Sequence, residues 1–202
     1  MLKRLNLGKL VLVYDDAVVY EPAEDSFLVL DYADVPACKK LLDLGCGTGI
    51  LGLWFADRAK EVLLVDINPY AVLFSAINAE INGIRHARTA ISCLLEDIED
   101  EWFDVCLFNP PYLLEEECED VLDVAWCSYK TVRAFFKQAR KRIGTAYLVL
   151  NNYSYELLKE EIPAHQILAT RQLPGERLLL LKVYFNRNRI ERRNHNPAQV
   201  FE

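Results

Sequence analysis

The sequence predicts an α/β fold in which helices cover both faces of a mostly parallel sheet. From Lys39 onward, short apolar runs alternate with segments of helical periodicity, and the first of these runs, KLLDLGC, stops at glycines. The chain closes with two apolar runs, HQILATRQL and RLLLLKVYF, which Pro174 and Gly175 separate as in an antiparallel hairpin. Alternation of this kind favours parallel strands, whose ligands bind at the carboxyl ends.

Each element follows from its own pattern. Ahead of the sheet, we expect a hairpin in LVLVYDDAVVY and a helix over residues 21–35, where Glu24 and Asp25 suit a helix N-terminus. The predicted strands of the sheet are KLLDLGC, EVLLVDI, ARTAIS, FDVCLFN, TAYLVLN and the two hairpin strands. The predicted helices of the sheet region cover residues 50–59, 69–83, 128–142 and 153–162. The chain is therefore expected to have three parts, which are an N-terminal hairpin and helix at 1–38 packing on the core, a domain at 39–185 and a basic tail at 186–202.

The composition is that of an ordinary soluble globular protein. The chain has 202 residues, of which 52% are apolar and 26% charged, enough for one core without disulfides or metals. Its six cysteines form no CxxC pair and its three histidines are isolated, so no metal site is predicted. Cys46 and Cys106 lie in apolar runs and are expected to be reduced core residues. Because no signal peptide or apolar run of membrane-spanning length is present, we expect a cytoplasmic protein.

The charge is unevenly distributed. The net charge is −7, and the segment from Glu96 to Asp123 contains 12 carboxylates and no lysine or arginine, which would repel a phosphate backbone. Lysine and arginine are frequent over residues 130–141, where their spacing predicts the solvated face of an amphipathic helix. The apolar face of that helix is expected to contain Val132, Phe135, Phe136, Ala139 and Ile143.

The segment LLDLGCGTGILG contains two overlapping glycine patterns. Gly47, Gly49 and Gly52 spell GxGxxG, and Asp66 lies 19 residues after Gly47, as a dinucleotide site would require. The same segment spells DxGxGxG from Asp43 to Gly49, which resembles the first motif of class I S-adenosylmethionine-dependent methyltransferases. Asp43 would repel a pyrophosphate and attract a ligand that carries an ammonium and a sulfonium, so the methyl donor is favoured over the dinucleotide.

The segment FNPPY ends a predicted strand with residues that suit recognition of an NH₂ group. Pro110 restricts Asn109 to extended conformations, and neither Pro110 nor Pro111 offers an N–H. The Asn109 side-chain oxygen and the Pro110 carbonyl could accept both protons of a substrate NH₂, while Tyr112 stacks on the planar group that bears it. This arrangement predicts methylation of an amide or of an aromatic amine.

The motifs EPAEDS, DLGCGTG, VDINP with NAEING, and FNPPY together resemble the HemK-type protein glutamine methyltransferases, in particular their short archaeal and eukaryotic branch. The resemblance runs from about Val19 to Phe185. It implies a three-layer Rossmann-like class I methyltransferase fold with a mostly parallel seven-stranded sheet. It also implies an S-adenosylmethionine-dependent N-methyltransferase that acts in translation termination, on the Gly-Gly-Gln glutamine of a peptide-chain release factor.

The resemblance also suggests a role for each matching residue. Ser26 and Asp43 would lie near the methionine end of the cofactor and Asp66 at the ribose. Asn109, Pro110 and Tyr112 would be catalytic and, with Pro111, would bind the substrate amide. The expected cofactor-binding residues are Ser26, Asp43, Gly45, Gly47, Gly49, Asp66, Ile67, Cys93, Leu94 and Asn109.

Two features leave alternatives open. Relatives have an aspartate at the position of Cys93, so either Cys93 lines the adenine pocket, with the Leu94 N–H offered to the ring, or Asp97 meets the adenine amine. Because only 38 residues precede the first predicted strand of the sheet, we do not expect the long helical substrate-recognition domain of bacterial relatives, and members of the short branch work with a small zinc-binding activator subunit. By analogy, ARTAIS is an edge strand at which such a partner would pair.

The sequence also leaves more than one methyl acceptor possible. The release-factor glutamine leads, and an adenine amino group of DNA or RNA is the chemically equivalent alternative, for which the basic helix and tail would supply a binding surface. A non-catalytic S-adenosylmethionine-binding assembly factor is the third possibility.

Overall fold

The computed structural model describes residues 1–110 and 129–185. Its strands are β1 (Leu2–Asn6), β2 (Val11–Asp15), β3 (Cys38–Leu44), β4 (Ala59–Asp66), β5 (Ala87–Ile91), β6 (Phe103–Phe108), β7 (Ile143–Asn151), β8 (His165–Leu173) and β9 (Glu176–Tyr184). Its helices over the same residues are α1 (Glu24–Tyr32), α2 (Ile50–Trp54), α3 (Pro69–Ile81), α4 (Tyr129–Arg142) and α5 (Asn152–Leu158), with a 3-10 turn at Ala56–Arg58.

Seven strands form one sheet in the order β5-β4-β3-β6-β7-β9-β8. The first five strands of that order run parallel, and β9 pairs antiparallel with both β7 and β8. The predicted seven-stranded sheet with its antiparallel C-terminal hairpin is therefore confirmed. The predicted edge position of ARTAIS is confirmed as well, since β5 ends the sheet.

Two apolar layers cover the two faces of the sheet because successive residues of a strand point to opposite faces. Leu41 of β3 packs in one layer with Leu12 of β2 and Leu28 of α1. Leu42, the next residue of β3, packs in the other layer with Phe135 of α4. The hairpin and α1 thus share a core with the central strands.

The N-terminal hairpin differs from the predicted one. β1 pairs with β2 through a turn at Gly8, which has φ +79°. The segment after Asp15 does not return along β2, because the N–H groups of Val18 and Val19 both donate to the Asp15 carbonyl in a helical turn. The predicted pairing within LVLVYDDAVVY is therefore wrong, and LVLVY supplies only the second strand of the hairpin.

Two predicted helices are shorter than their apolar pattern. The helix over residues 50–59 ends at Trp54 and continues as the 3-10 turn. The helix over 153–162 ends at Leu158, whose carbonyl accepts from both Glu161 and Ile162 ahead of Pro163. In both places the apolar residues stay buried although the regular helix has ended.

The amphipathic α4 has the predicted orientation. Phe135 is fully buried and its ring centroid lies 4.8 Å from that of Phe108, while Lys137 and Lys141 are exposed. Cys46 and Cys106 are buried and free, as predicted for core residues. Over residues 1–110 and 129–185, no helix is long and apolar enough to cross a membrane.

Candidate functional site

Most of the predicted site residues follow four neighbouring strands at the carboxyl ends of the parallel strands. Leu44 at the end of β3 pairs with Val65 of β4 on one side and with Phe108 of β6 on the other. Asp66 of β4 pairs with Ile91 of β5. The segments after these strands therefore lie side by side in the order β5, β4, β3, β6, and they bring together residues that are far apart in sequence.

The loop between β3 and α2 is a tight turn of backbone. Gly45, Gly47 and Gly49 all have positive φ, and the Gly49 N–H donates to the Cys46 carbonyl at 2.7 Å. Gly47 has φ +53° and donates its N–H to Asp66 Oδ2 at 2.9 Å. A side chain at Gly47 would strain the backbone, because the left-handed region disfavours residues with a Cβ. The loop thus exposes backbone to a ligand and is anchored to the predicted ribose-binding acid.

Asp43 lies beneath this loop, fully buried. Its Oδ2 accepts from the Gly52 N–H at 2.7 Å, and a Cβ on Gly52 would come within 2.8 Å of the Asp43 Cβ. Its Oδ1 is buried and has no hydrogen-bond partner among the described residues. Burial raises the pKa of Asp43 well above its usual range, although the Gly52 N–H favours the charged form. A ligand with a positively charged donor would satisfy this carboxylate.

Asp66 is better satisfied than Asp43. Its Oδ2 accepts from Gly47, and its Oδ1 accepts from the Asn68 N–H at 2.9 Å. Burial raises the pKa of Asp66, and the backbone donors Asn68 and Gly47 oppose that rise. The carboxylate is therefore held in one orientation at the end of β4, where further lone pairs can accept ribose hydroxyls.

Asn109 follows β6 and is partly buried. Its Oδ1 is buried without a hydrogen-bond partner among the described residues, and Pro110 beside it is buried. A Cβ at Gly45 would lie 4.0 Å from the Asn109 carbonyl oxygen, so the glycine loop and Asn109 are adjacent. Pro111 and Tyr112 lie outside the described residues, and their predicted roles remain predictions.

The turn after β5 holds the predicted adenine residues. Leu94 has φ +53°, and among the described residues it is the one non-glycine residue in the left-handed region. Ser92 fixes the turn, since its N–H donates to the Asp66 carbonyl at 3.0 Å and its Oγ accepts from the Asp97 N–H at 3.0 Å. Cys93 is exposed, and whether Cys93 or Asp97 meets the adenine amine stays a prediction.

Two further predicted cofactor residues, Ser26 and Ile67, lie in α1 and directly after β4. Ser26, in the first turn of α1, is buried, and its N–H and Oγ both donate to Asp25 Oδ1, at 2.6 and 3.3 Å. Ile67 directly follows Asp66 and is 50% exposed. Their contacts with a cofactor remain predictions.

Several residues that shape the site are absent from the sequence-based set. Thr48 in the glycine loop is buried, and its Oγ1 has no partner among the described residues. Asn78 of α3 is buried and donates to the Thr48 carbonyl at 2.9 Å. The sequence could have identified Asn68 as the residue that caps α3, because an asparagine directly before Pro69 is a typical helix cap. Asn78 carries no such local signal.

The chemistry of the site fits S-adenosylmethionine. The unpartnered oxygens of an ionised Asp43 and of Asn109 require donors, and the unpartnered Thr48 hydroxyl can accept or donate. The ammonium group of S-adenosylmethionine is a donor, and its charge suits Asp43, whereas a pyrophosphate would bring further acceptors and negative charge. These residues therefore fit the methyl donor better than a dinucleotide.

Comparison with known proteins agrees with this fit. The model of a family described as methyltransferase small domain matches residues 21–173. A protein of Methanocaldococcus jannaschii with the provisional name protein N5-glutamine methyltransferase is 43% identical over 104 residues, 51% of this chain and 52% of that protein. A tRNA1(Val) (adenine(37)-N6)-methyltransferase of Haemophilus influenzae is 37% identical over 95 residues, 44% of this chain and 40% of that protein. The chain spans about half the length of the curated relatives it matches or less.

Two solved structures have similar folds. The E. cuniculi Mtq2–Trm112 complex, responsible for methylation of the eRF1 translation termination factor, matches with a TM-score of 0.62 and 24% identity, over 82% of this chain and 98% of that chain. The T. thermophilus 16S rRNA N2 G1207 methyltransferase, in complex with AdoMet and guanosine, matches with a TM-score of 0.67 and 25% identity, over 91% of this chain and 50% of that chain. Both likenesses support the Rossmann-like architecture described above.

Proposed function

Because the chain belongs to the methyltransferase small domain family and its methyl donor is S-adenosylmethionine, we propose that it methylates the side-chain amide nitrogen of a protein glutamine. The observation that carries the proposal is the buried, unpartnered Asn109 Oδ1 beside the glycine loop. The identity to the M. jannaschii relative supports this class of acceptor. The finer proposal, the Gly-Gly-Gln glutamine of a release factor, rests on the resemblance of EPAEDS and FNPPY to HemK-type enzymes.

The proposed mechanism depends on how the amide is held. An amide nitrogen is a weak nucleophile because its lone pair is delocalised into the carbonyl. Asn109 Oδ1 would accept one proton of the NH₂ group and the Pro110 carbonyl the other, which fixes the nitrogen toward the donor. Bound S-adenosylmethionine supplies a methyl group on a positively charged sulfur. No general base is needed at Asn109, since the nitrogen would release its proton to water after it has become cationic.

The experiment that tests the proposed function is transfer of a labelled methyl group to defined acceptors. These are a release factor, its Gly-Gly-Gln variant with alanine in place of glutamine, and RNA or DNA, each with and without a small zinc-binding protein. We expect label on the release factor and none on the alanine variant. Label on the alanine variant, or on nucleic acid alone, would contradict the proposal.

Asn109→Ala separates catalysis from cofactor binding. We expect the turnover rate to fall about 100-fold or more, because a group that positions and polarises the acceptor is lost. The affinity for S-adenosylhomocysteine, measured by calorimetry, should stay within about twofold. An Asn109→Ala variant that keeps the full turnover rate would contradict the catalytic role of Asn109.

An adenine amino group is the second candidate acceptor, and the H. influenzae tRNA methyltransferase supports it. Such an amine has the same two protons and the same delocalised lone pair. Exposed Glu96, Asp97, Glu99 and Asp100 lie close after β5, however, and would repel a polyanion that approaches the site. This charge is the reason that we rank the protein acceptor first.

We further propose that a small activator subunit binds at the β5 edge. This edge strand carries Ile91, 56% exposed, and the adjoining start of α3 carries Tyr70 and Leu73, 53% and 54% exposed. Exposed large apolar side chains beside a free strand edge are typical of an interaction surface. The Mtq2–Trm112 complex is a structural neighbour in which a methyltransferase has a second subunit.

A further inference from the structure

The last turns of α4 hold the loop that follows β5. Gln138 and Arg142 lie one helical turn apart and contact the same residue of this loop. Gln138 Oε1 accepts from the Leu95 N–H at 2.8 Å, and Arg142 Nη1 donates to the Leu95 carbonyl at 2.8 Å. Leu95 is 2% exposed. The backbone N–H and carbonyl of buried Leu95 are thus both held by side chains of α4.

Arg142 binds the loop through several carbonyls. Its Nη2 donates to the Ile98 carbonyl at 3.2 Å and also to the Glu99 carbonyl, and its Nε donates to the Glu101 carbonyl at 3.4 Å. The side chain is only 13% exposed. A guanidinium can serve so many acceptors because its five N–H groups point outward in one plane, which an ammonium group cannot reproduce.

The contacts of Gln138 and Arg142 with Leu95 lie next to a strained backbone position, Leu94. Leu94, the residue before Leu95, has φ +53°, a conformation that a branched side chain adopts only where its surroundings impose it. Ser92 holds the chain on one side of Leu94 through the Asp66 carbonyl. Gln138 and Arg142 hold the other side. The Cys93–Leu94 turn is therefore fixed from both ends.

The order of the strands indicates which part of the cofactor this turn faces. The sulfur must face Asn109 after β6, and Asp66 after β4 suits the ribose. In the cofactor, the ribose lies between the sulfur and the adenine. With the sulfur on the β6 side of Asp66, the adenine therefore lies on the other side of Asp66, at the turn after β5. We propose that Gln138 and Arg142 are positioning residues that hold the Cys93–Leu94 turn in the conformation that recognises the adenine ring.

The proposal concerns the cofactor and is independent of the methyl acceptor, so a binding assay without acceptor tests it. Affinities for S-adenosylhomocysteine and for S-inosylhomocysteine, in which a carbonyl oxygen replaces the adenine amino group, are measured by calorimetry. For Arg142→Lys we expect S-adenosylhomocysteine to bind about tenfold more weakly and the preference for adenosyl over inosyl to shrink. The neighbouring exposed cation supplies the matched control, and Lys141→Ala should leave both affinities unchanged.

A second pair of variants guards against loss of folding. Gln138→Leu removes the acceptor for the Leu95 N–H, whereas Gln138→Glu keeps an acceptor at the same place. We expect Gln138→Leu to reduce the adenosyl preference and Gln138→Glu to retain it. If Arg142→Lys and Gln138→Leu fold and keep the full adenosyl preference, or if they weaken both ligands by the same factor, the two residues have no role in recognition of the base.

Discussion

At the scale of single residues, the site contains a fully buried carboxylate, Asp43, and a partly buried one, Asp66, and their hydrogen bonds differ. Asp66 receives backbone donors on both oxygens, from Gly47 and Asn68, whereas Asp43 receives one, from Gly52. The second oxygen of Asp43 is buried without a donor in the described part of the chain. The ionised form of Asp43 therefore depends on a ligand for its stabilisation more than that of Asp66 does.

This difference predicts a pH dependence of cofactor binding. Because burial raises the pKa of Asp43 in the folded protein, the stability that Asp43 contributes is present at low pH and is lost as pH rises through that raised pKa. An ammonium group placed near Asp43, as the sequence predicts for bound S-adenosylmethionine, would stabilise the ionised form, so the affinity for this ligand should rise with pH across the same range. Calorimetry in two buffers of different ionisation enthalpy should detect proton release on binding.

Asp43→Asn is the variant that tests this dependence. It should bind S-adenosylmethionine about tenfold more weakly at high pH, because the charge is lost, and should release fewer protons. The pKa of Asp66 is also raised by burial, so a residual pH dependence in Asp43→Asn is assigned to Asp66. An unchanged proton release in Asp43→Asn would show that Asp43 does not respond to the cofactor.

At the scale of elements, α3 joins the N-terminal hairpin to the glycine loop. Asn82 exchanges two hydrogen bonds with the backbone of Val11, at 2.8 and 2.7 Å, and Asn78 does the same with Val13, at 2.8 and 3.0 Å. The two side chains thus pair with backbone N–H and carbonyl groups of β2, as a neighbouring strand would. Asn78 additionally donates to the Thr48 carbonyl at 2.9 Å.

The two asparagines form a matched pair of variants. Asn78→Ala and Asn82→Ala each leave two groups of β2 unpaired and should each lower the free energy of unfolding by about 1–3 kcal/mol. Only Asn78→Ala should also weaken S-adenosylhomocysteine binding, because only Asn78 reaches the glycine loop. Urea unfolding and calorimetry measure the two effects. Equal loss of ligand affinity in both variants would mean that the hairpin, and not the contact to Thr48, controls the loop.

The sequence predicts the elements that have a local pattern and misses residues whose roles depend on distant contacts. Strands β3, β4 and β6 are buried on both faces, so they read as continuous apolar runs, and polar residues at their carboxyl ends identify Asp43, Asp66 and Asn109 as site candidates. β1 escapes prediction because its sequence, LKRLN, is mostly polar and its partner could pair on either side. Asn78 and Arg142 escape because their roles depend on contacts with residues 30 and 47 positions away.

At the scale of the whole molecule, the two edges of the sheet differ. β8 forms one edge and is partly covered by α1, whose Glu24 and Asp31 pair with Arg171 of β8. β5 forms the other edge, next to the predicted cofactor-binding residues Cys93 and Leu94. Ile67, Tyr70, Leu73 and Ile91 are each at least 50% exposed there. A subunit bound at this edge would lie beside the Cys93–Leu94 turn, which is proposed above to recognise the adenine ring, and could therefore affect cofactor binding.

A charge at each edge tests which one binds the proposed activator. Ile91→Asp places a carboxylate at the β5 edge, and Ile167→Asp places one on β8, where Ile167 is 46% exposed. Both side chains are largely solvated, so both variants should fold with unchanged thermal midpoints. Ile91→Asp should weaken association with the proposed activator subunit more than tenfold and lose the methyl transfer that depends on it, because an unpaired charge would be buried. Co-purification and labelled transfer measure these effects. Equal behaviour of the two variants, or loss of association only in Ile167→Asp, would reject the β5 edge as the docking surface.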